Sequence, residues 1–172
     1  MASDSSIIRH ATREDVPAIL SLIQELAAYE EASESCHATL ETLTKTLSFP
    51  DSSSPTGFTP GFAKTYIITA PEGEVAGMAL YFHNYSTWDA APGIYLEDLF
   101  VKPPYRKRGY ATALINKLCN EIVRMGGTRV EWSCLKWNKP SLEFYEKIGA
   151  KQKGEWVGLR VDGEALRRLA ER

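Results

Sequence analysis

Tyr105-Arg106-Lys107-Arg108-Gly109-Tyr110-Ala111 lies between a hydrophobic run, Gly93–Val101, and an amphipathic stretch that begins near Ala111. A short basic loop with a glycine, set between a strand and a helix, suits a phosphate. Gly109 lets the backbone come close to a ligand, and Ala111 keeps the wall low. Exposed N–H groups of the loop and first helical turn then face the anion, helped by the helix dipole. Arg106, Lys107 and Arg108 supply positive charge. Neither GxGxxG after a strand nor GxxxxGK[ST] occurs, so dinucleotide-fold and P-loop readings fail.

Working outward, the 172 residues fit one domain with a good core, and 44% apolar with 24% charged residues is ordinary for a globular protein. No run approaches the ~18 apolar residues of a membrane span, so no membrane partner is expected. Met1–Ser6 lacks the basic and apolar parts of a secretory leader, which points to a cytoplasmic protein. A net charge of −2 argues against a nucleic-acid partner. The three cysteines, Cys36, Cys119 and Cys134, form no CxxC pair, so no zinc site or disulfide framework is expected. Cys119 and Cys134 read as small core hydrophobes. His10, His37 and His83 show no ligand spacing and read as structural or surface residues, and no metal is expected.

Ser6–His10 reads as a first strand. Thr12-Arg13-Glu14-Asp15 then opens a helix near Pro17, whose apolar face carries Ile19, Leu22, Ile23 and Leu26. A weaker helix spans Thr39–Leu47, and Ser48–Phe62 is a mobile surface loop by its Ser, Pro, Thr and Gly content. Ala63–Thr69 and Val75–Asn84 form a hairpin around Pro71-Glu72-Gly73, with Tyr85–Pro92 a loop before the Gly93–Val101 strand. After the basic loop, Leu114, Ile115, Leu118, Cys119 and Ile122 share one helix side, and Gly126-Gly127 ends it. Arg129–Leu135 is a strand and Ser141–Ile148 a helix led by Pro140. Trp156–Val161 is a last strand and Glu164–Ala170 a terminal helix. The order, with a βαβ unit in its second half, implies a mixed α/β sheet.

The pattern Arg106-x-x-Gly109-x-Ala111 resembles the acyl-CoA pyrophosphate loop of the GCN5-related N-acetyltransferases (GNAT). Alone it is a weak signal. Tyr95-Leu96-Glu97-Asp98-Leu99-Phe100-Val101, Tyr105-Arg106, Trp137-Asn138-Lys139-Pro140-Ser141 and Phe144-Tyr145 follow in the order and spacing of the diamine/thialysine branch, which includes spermidine/spermine-type enzymes. Leu26-Ala27-Ala28-Tyr29-Glu30 extends the resemblance, which is loosest over Cys36–Lys64. It implies the GNAT fold, a mixed central sheet with splayed parallel strands flanked by helices, over a single domain of residues 1–172.

The resemblance also implies roles. Backbone groups of Leu99, Phe100 and Val101 would bind the pantetheine arm like an added strand and polarise the thioester carbonyl, though all three also suit a plain core strand. Lys107, Arg108, Gly109, Tyr110, Ala111 and Thr112, with Arg106, would hold the pyrophosphate. Tyr145, from its surroundings alone a packing tyrosine, becomes the general acid for the departing thiolate. Asn138 and Ser141 bind cofactor, or Asn138 caps a helix.

By the same resemblance Glu97 would contact the substrate amine and take its proton through water. Asp98 assists or fixes a loop. Adjacent strand residues face opposite sides, so both cannot enter one cleft without a bulge. Tyr29 and Glu30 end the first helix, where acids oppose the dipole by a few tenths of a kcal/mol each, a cost that a cationic substrate would offset. Gly154-Glu155-Trp156 departs from the Glu-Gly-Trp of polyamine enzymes, so no polyamine contact is carried over there.

These readings describe an enzyme that transfers acetyl from acetyl-CoA to a primary amine of a small cationic substrate by direct attack, as a homodimer by resemblance. A protein or histone lysine acetyltransferase, or a non-catalytic acyl-CoA-binding regulator, are the rival readings.

Overall fold

Asp15 joins the first two elements of the computed structural model, which describes residues 6–171. Met1–Ser5, most of the segment read above for a leader, lie outside the described residues, as does Arg172. The Asp15 carboxylate accepts the Thr12 N–H at 2.7 Å and the Arg9 guanidinium at 2.7 Å. Strand β1 (Ile7–His10) is thereby tied to a 3-10 turn at Arg13–Asp15 and to helix α1 (Val16–Tyr29), with Pro17 in its first turn. Thr39 caps α2 (Leu40–Thr46) by accepting the Thr42 N–H.

Strands β2 (Lys64–Thr69), β3 (Val75–Ser86), β4 (Ala91–Val101) and β5 (Val130–Glu131) complete a five-stranded sheet in the order β1-β2-β3-β4-β5. The first four run antiparallel, and β5 lies parallel to β4. On one face Ile19 and Leu22 of α1 and Leu43 of α2 pack with Phe49, Ile67, Met78, Leu80 and Phe100. Fully burying each such side chain contributes about 1.5–3 kcal/mol. Residues alternating with these, Tyr66 and Tyr81, point to the other face. There lies α3 (Tyr110–Arg124), with Leu114, Leu118 and Ile122 buried. Gly126, at φ +76°, ends α3 in a Schellman turn, where Gly127 N–H reaches Ile122 O and Gly126 N–H reaches Val123 O.

The polypeptide divides into two compact units, one up to Ser133 and one from Cys134. The second contains α4 (Lys139–Lys147) and α5 (Gly163–Ala170).

Five details differ from the sequence reading. The Tyr85–Pro92 loop shrinks to a turn at 87–90, because Tyr85 pairs with Pro92 and Ser86 with Ala91. The Arg129–Leu135 strand is reduced to Val130–Glu131, paired only with Ile94 and Tyr95. No strand forms over Trp156–Val161: the run alternates as a strand would but has no ladder partner among the described residues. Cys119 is exposed, because the buried stripe of α3 runs through Leu118 and turns away from the next residue. The Ser48–Phe62 loop is tethered: Ser48 N–H bonds Ala63 O, Ser48 Oγ bonds Thr59 O, and Phe49 is buried in the core.

Candidate active site

The two-residue β4–β5 ladder has a direct consequence. Beyond Tyr95 and Glu131 the parallel strands separate, and among the described residues Leu96–Val101 is paired along one edge only, to β3. An open strand edge is a template for one more extended chain. Leu99, Phe100 and Val101 all lie on it. Phe100 and Val101 are buried, so they also serve the core that they were weighed against.

The bulge left open by the sequence is present. Leu80 pairs with Asp98 and Tyr81 with Leu96, so Glu97 is the extra residue of β4. Glu97 is exposed, whereas Asp98 is half-buried on the Leu80 side, the side of α1. Burial, with the charges of Glu97 and Glu30, pushes the Asp98 carboxyl up to about 6. Burial also raises Glu30. Glu30 caps the C-terminus of α1, and Glu31 follows in the left-handed region at φ +57°. Three carboxylates thus converge from α1 and β4, and none has an ion-pair partner among the described residues. Such a group favours either a proton on one of its acids or a cation beside them.

Arg106 joins the two walls. Its Nε donates to Val101 O at 3.0 Å, and its guanidinium carbon lies 5.3 Å from the Tyr29 ring centroid and 5.7 Å from that of Phe100. Arg108 pairs with Glu72 at 2.7 Å, and Tyr105 Oη donates to Glu74 at 3.2 Å, so the β2–β3 turn braces the basic loop. Lys107, at φ +64°, and Gly109, at φ +82°, both adopt the left-handed region. For lysine this costs roughly 1–2 kcal/mol. Gly109 is the N-cap of α3, and nothing lies within 4 Å of where its Cβ would be. Ala111 and Thr112 occupy the first turn, where N–H groups have no intrahelical acceptor. Tyr110 is buried, with its side chain linked to Arg108.

In the second unit Asn138 is the N-cap of α4, and its Oδ1 accepts the Ser141 N–H at 3.4 Å. The capping role weighed for it is therefore occupied. Tyr145 lies on the same helix, its ring 5.3 Å from that of Phe144.

A cluster that the sequence reading passed over sits on the α3 face. Glu121 Oε2 accepts Tyr66 Oη at 2.7 Å and Tyr81 Oη at 2.6 Å, and Oε1 lies 3.2 Å from His83 Nε2. His10 Nε2 is 3.0 Å from Tyr81 Oη. Burial alone would raise the Glu121 carboxyl, but His10 and His83 beside it, with the hydroxyls of Tyr81 and Tyr66 donating to it, hold it well below the usual range. Burial and Glu121 together push both tyrosines up. Four strand positions and one helix position converge here, and no local sequence spacing announces that. Among the described residues no group of three or more His, Cys, Asp or Glu is arranged to hold a metal ion. No described helix is long and apolar enough to cross a membrane.

Residues 26–150 match the model of the acetyltransferase (GNAT) family. The chain belongs to that family. It is similar to the L-ornithine N5-acetyltransferase NATA1 of Arabidopsis thaliana, 33% identical over 95% of this chain and 87% of that one. It is also similar to the thialysine N-epsilon-acetyltransferase of Bos taurus, 36% identical over 95% of this chain and 96% of that one. In fold it resembles an integron cassette protein from V. cholerae, with a TM-score of 0.76 and 21% identity over 98% and 99% of the two chains. This GNAT chain is an N-acetyltransferase of the thialysine-like branch, and its parallel β4–β5 pair with flanking helices is the mixed sheet of that family.

Proposed function

We propose that this N-acetyltransferase moves the acetyl group of acetyl-CoA to a primary amine of a small cationic substrate: a diamine, a polyamine or a thialysine-like amino acid. The observation that carries the reading is the convergence of Glu30, Glu97 and Asp98, without a countercharge, beside the open edge of β4. Relatives that act on ornithine and thialysine support an amine of that size and charge.

The pantetheine arm extends along Leu99, Phe100 and Val101, and one of their N–H groups polarises the thioester carbonyl. Lys107, Arg108, Gly109, Tyr110, Ala111 and Thr112 hold the pyrophosphate. The left-handed Lys107 and Gly109 and the open space at Gly109 fit a backbone approach to an anion. Arg106 positions this loop by bracing Val101. Asn138 and Ser141 bind cofactor through the start of α4.

Tyr29 and Glu30 receive the distal part of the amine, and Glu97 and Asp98 its reacting end. The neutral amine attacks the carbonyl directly in a ternary complex. Its C–N bond forms as the C–S bond breaks, and the nitrogen proton leaves through water to the acids of β4. Tyr145 gives its hydroxyl proton to the departing thiolate. A phenol near pKa ~10 serves a thiol near ~8.5 only when held in place. Proximity of the two substrates supplies much of the rate. The 172 residues act as one domain in the cytoplasm, as the sequence leads one to expect, and as a homodimer by resemblance to the same branch.

The test is release of CoA from acetyl-CoA with thialysine, ornithine, putrescine, spermidine, lysine, a histone-tail peptide or no amine. The reading expects turnover on at least one small cationic amine. Turnover on the peptide alone would replace it with protein acetylation. A Tyr145→Phe variant should keep acetyl-CoA affinity and lose on the order of 10²-fold or more in kcat. Unchanged kcat would remove Tyr145 from the mechanism.

A further inference from the structure

The sheet face opposite Asp98 holds a cavity of about 290 Å³ between β1, β2 and the C-terminal half of α3. One wall is aromatic. The His10 ring stacks on Tyr66 with centroids 3.9 Å apart, and Phe58 meets His10 edge-on at 4.9 Å. The opposite wall is cationic. Lys117 and Arg124, two turns apart, lie on the same side of α3, and Lys64 reaches in from the start of β2.

Among the described residues, Glu121 is the only carboxylate lining the cavity. Its Oε2 is already taken by two tyrosine hydroxyls, and Oε1 faces His83. Lys64, Lys117 and Arg124 have no ion-pair partner among the described residues. Lys64 Nζ is instead held 3.9 Å from the Phe58 ring centroid. Lys117 Nζ sits 5.7 Å from that of Tyr66. The acid is consumed inside the fold while three cations remain at the mouth, so the cavity carries positive charge beside a ring-lined wall.

We propose that this cavity binds a small planar organic anion. Its ring packs against His10 and Phe58, and its phosphate or carboxylate group meets Lys117, Arg124 and Lys64. Charge-assisted contacts supply orientation, and the aromatic wall supplies burial. The site lies on the other face of the sheet from the acids assigned to the amine. It stands independently of the acetyl-transfer reading.

Titration calorimetry on the full chain tests it, with phenyl phosphate and isophthalate as probes. Benzyl alcohol serves as the uncharged control and inorganic phosphate as the ringless one. Each titration is run with and without saturating CoA. The expected result is saturable binding of at least one ring-bearing anion, unchanged by CoA and weaker for both controls. The Lys117→Gln/Arg124→Gln double variant should lose at least about tenfold in affinity, on the order of 1.4 kcal/mol. The Lys117→Arg/Arg124→Lys variant, which keeps the charges, should retain binding, and thermal unfolding verifies that both fold. Phosphate against carboxylate preference tells the two anion sources apart. No saturable binding up to roughly 10 mM, equal affinity in the charge-removed variant, equal affinity for inorganic phosphate, or loss on adding CoA would each overturn the proposal.

Discussion

The two faces of the sheet treat carboxylates in opposite ways. On the α3 face Glu121 is enclosed yet satisfied, with two tyrosine hydroxyls on one oxygen and His83 beside the other. On the α1 face the carboxylates of Glu30, Glu97 and Asp98 converge without ion-pair partners among the described residues, and burial with its two acidic neighbours pushes Asp98 up to about 6. Burial penalises Glu121 and Asp98 alike. Only the first is repaid from within the fold. A carboxylate satisfied internally holds elements together, whereas a set left unsatisfied stores a cost that a bound cation can remove.

The contrast breaks most visibly at Glu121. Glu121→Gln should cost on the order of 2–4 kcal/mol, because two tyrosine donors and the facing histidine lose a charged acceptor. Denaturant unfolding measures it, and a cost near zero would dissolve the contrast. The sign with pH follows from the depressed carboxyl: the stabilisation is complete above the ordinary glutamate range near 4.5 and is lost as pH falls below it. Acid unfolding of the wild type should therefore be eased, and that of Glu121→Gln should lose this component.

Asp98 runs the other way. Its carboxyl is raised from 3.8 to about 6, so the folded state prefers the protonated form, and stability declines as pH rises through that window. Asp98→Asn should stabilise the protein at pH 8 by roughly 1–3 kcal/mol, with little change at pH 3. Smaller again is Glu31→Gly, at φ +57° next to the acids, which should gain up to ~1 kcal/mol by relieving the left-handed strain. A loss of stability there, read from the unfolding midpoint, would show that the Glu31 side chain has a structural partner.

Much of the first face was legible in the sequence. The basic loop, the Glu97-Asp98 pair and the Tyr29-Glu30 helix end are contiguous motifs, and each keeps its place. The bulge that exposes Glu97 and encloses Asp98 was a stated condition, but strand register is set by pairing to β3, which no local pattern fixes. The α3 face was illegible for the same reason. His10, Tyr66, Tyr81, His83 and Glu121 span β1 to α3 and meet only once the sheet has formed. Trp156–Val161 has the apolar alternation of a strand, and a strand needs a partner as well as a pattern.

The most direct test measures kcat/KM of Asp98→Asn for a cationic amine at pH 8, beside its unfolding free energy. A fall of about 100-fold or more with stability maintained or raised is the predicted result, the mark of a charge kept for substrate at the expense of the fold. Unchanged kcat/KM would contradict the account, because the unsatisfied acids would then carry a folding cost with no catalytic return.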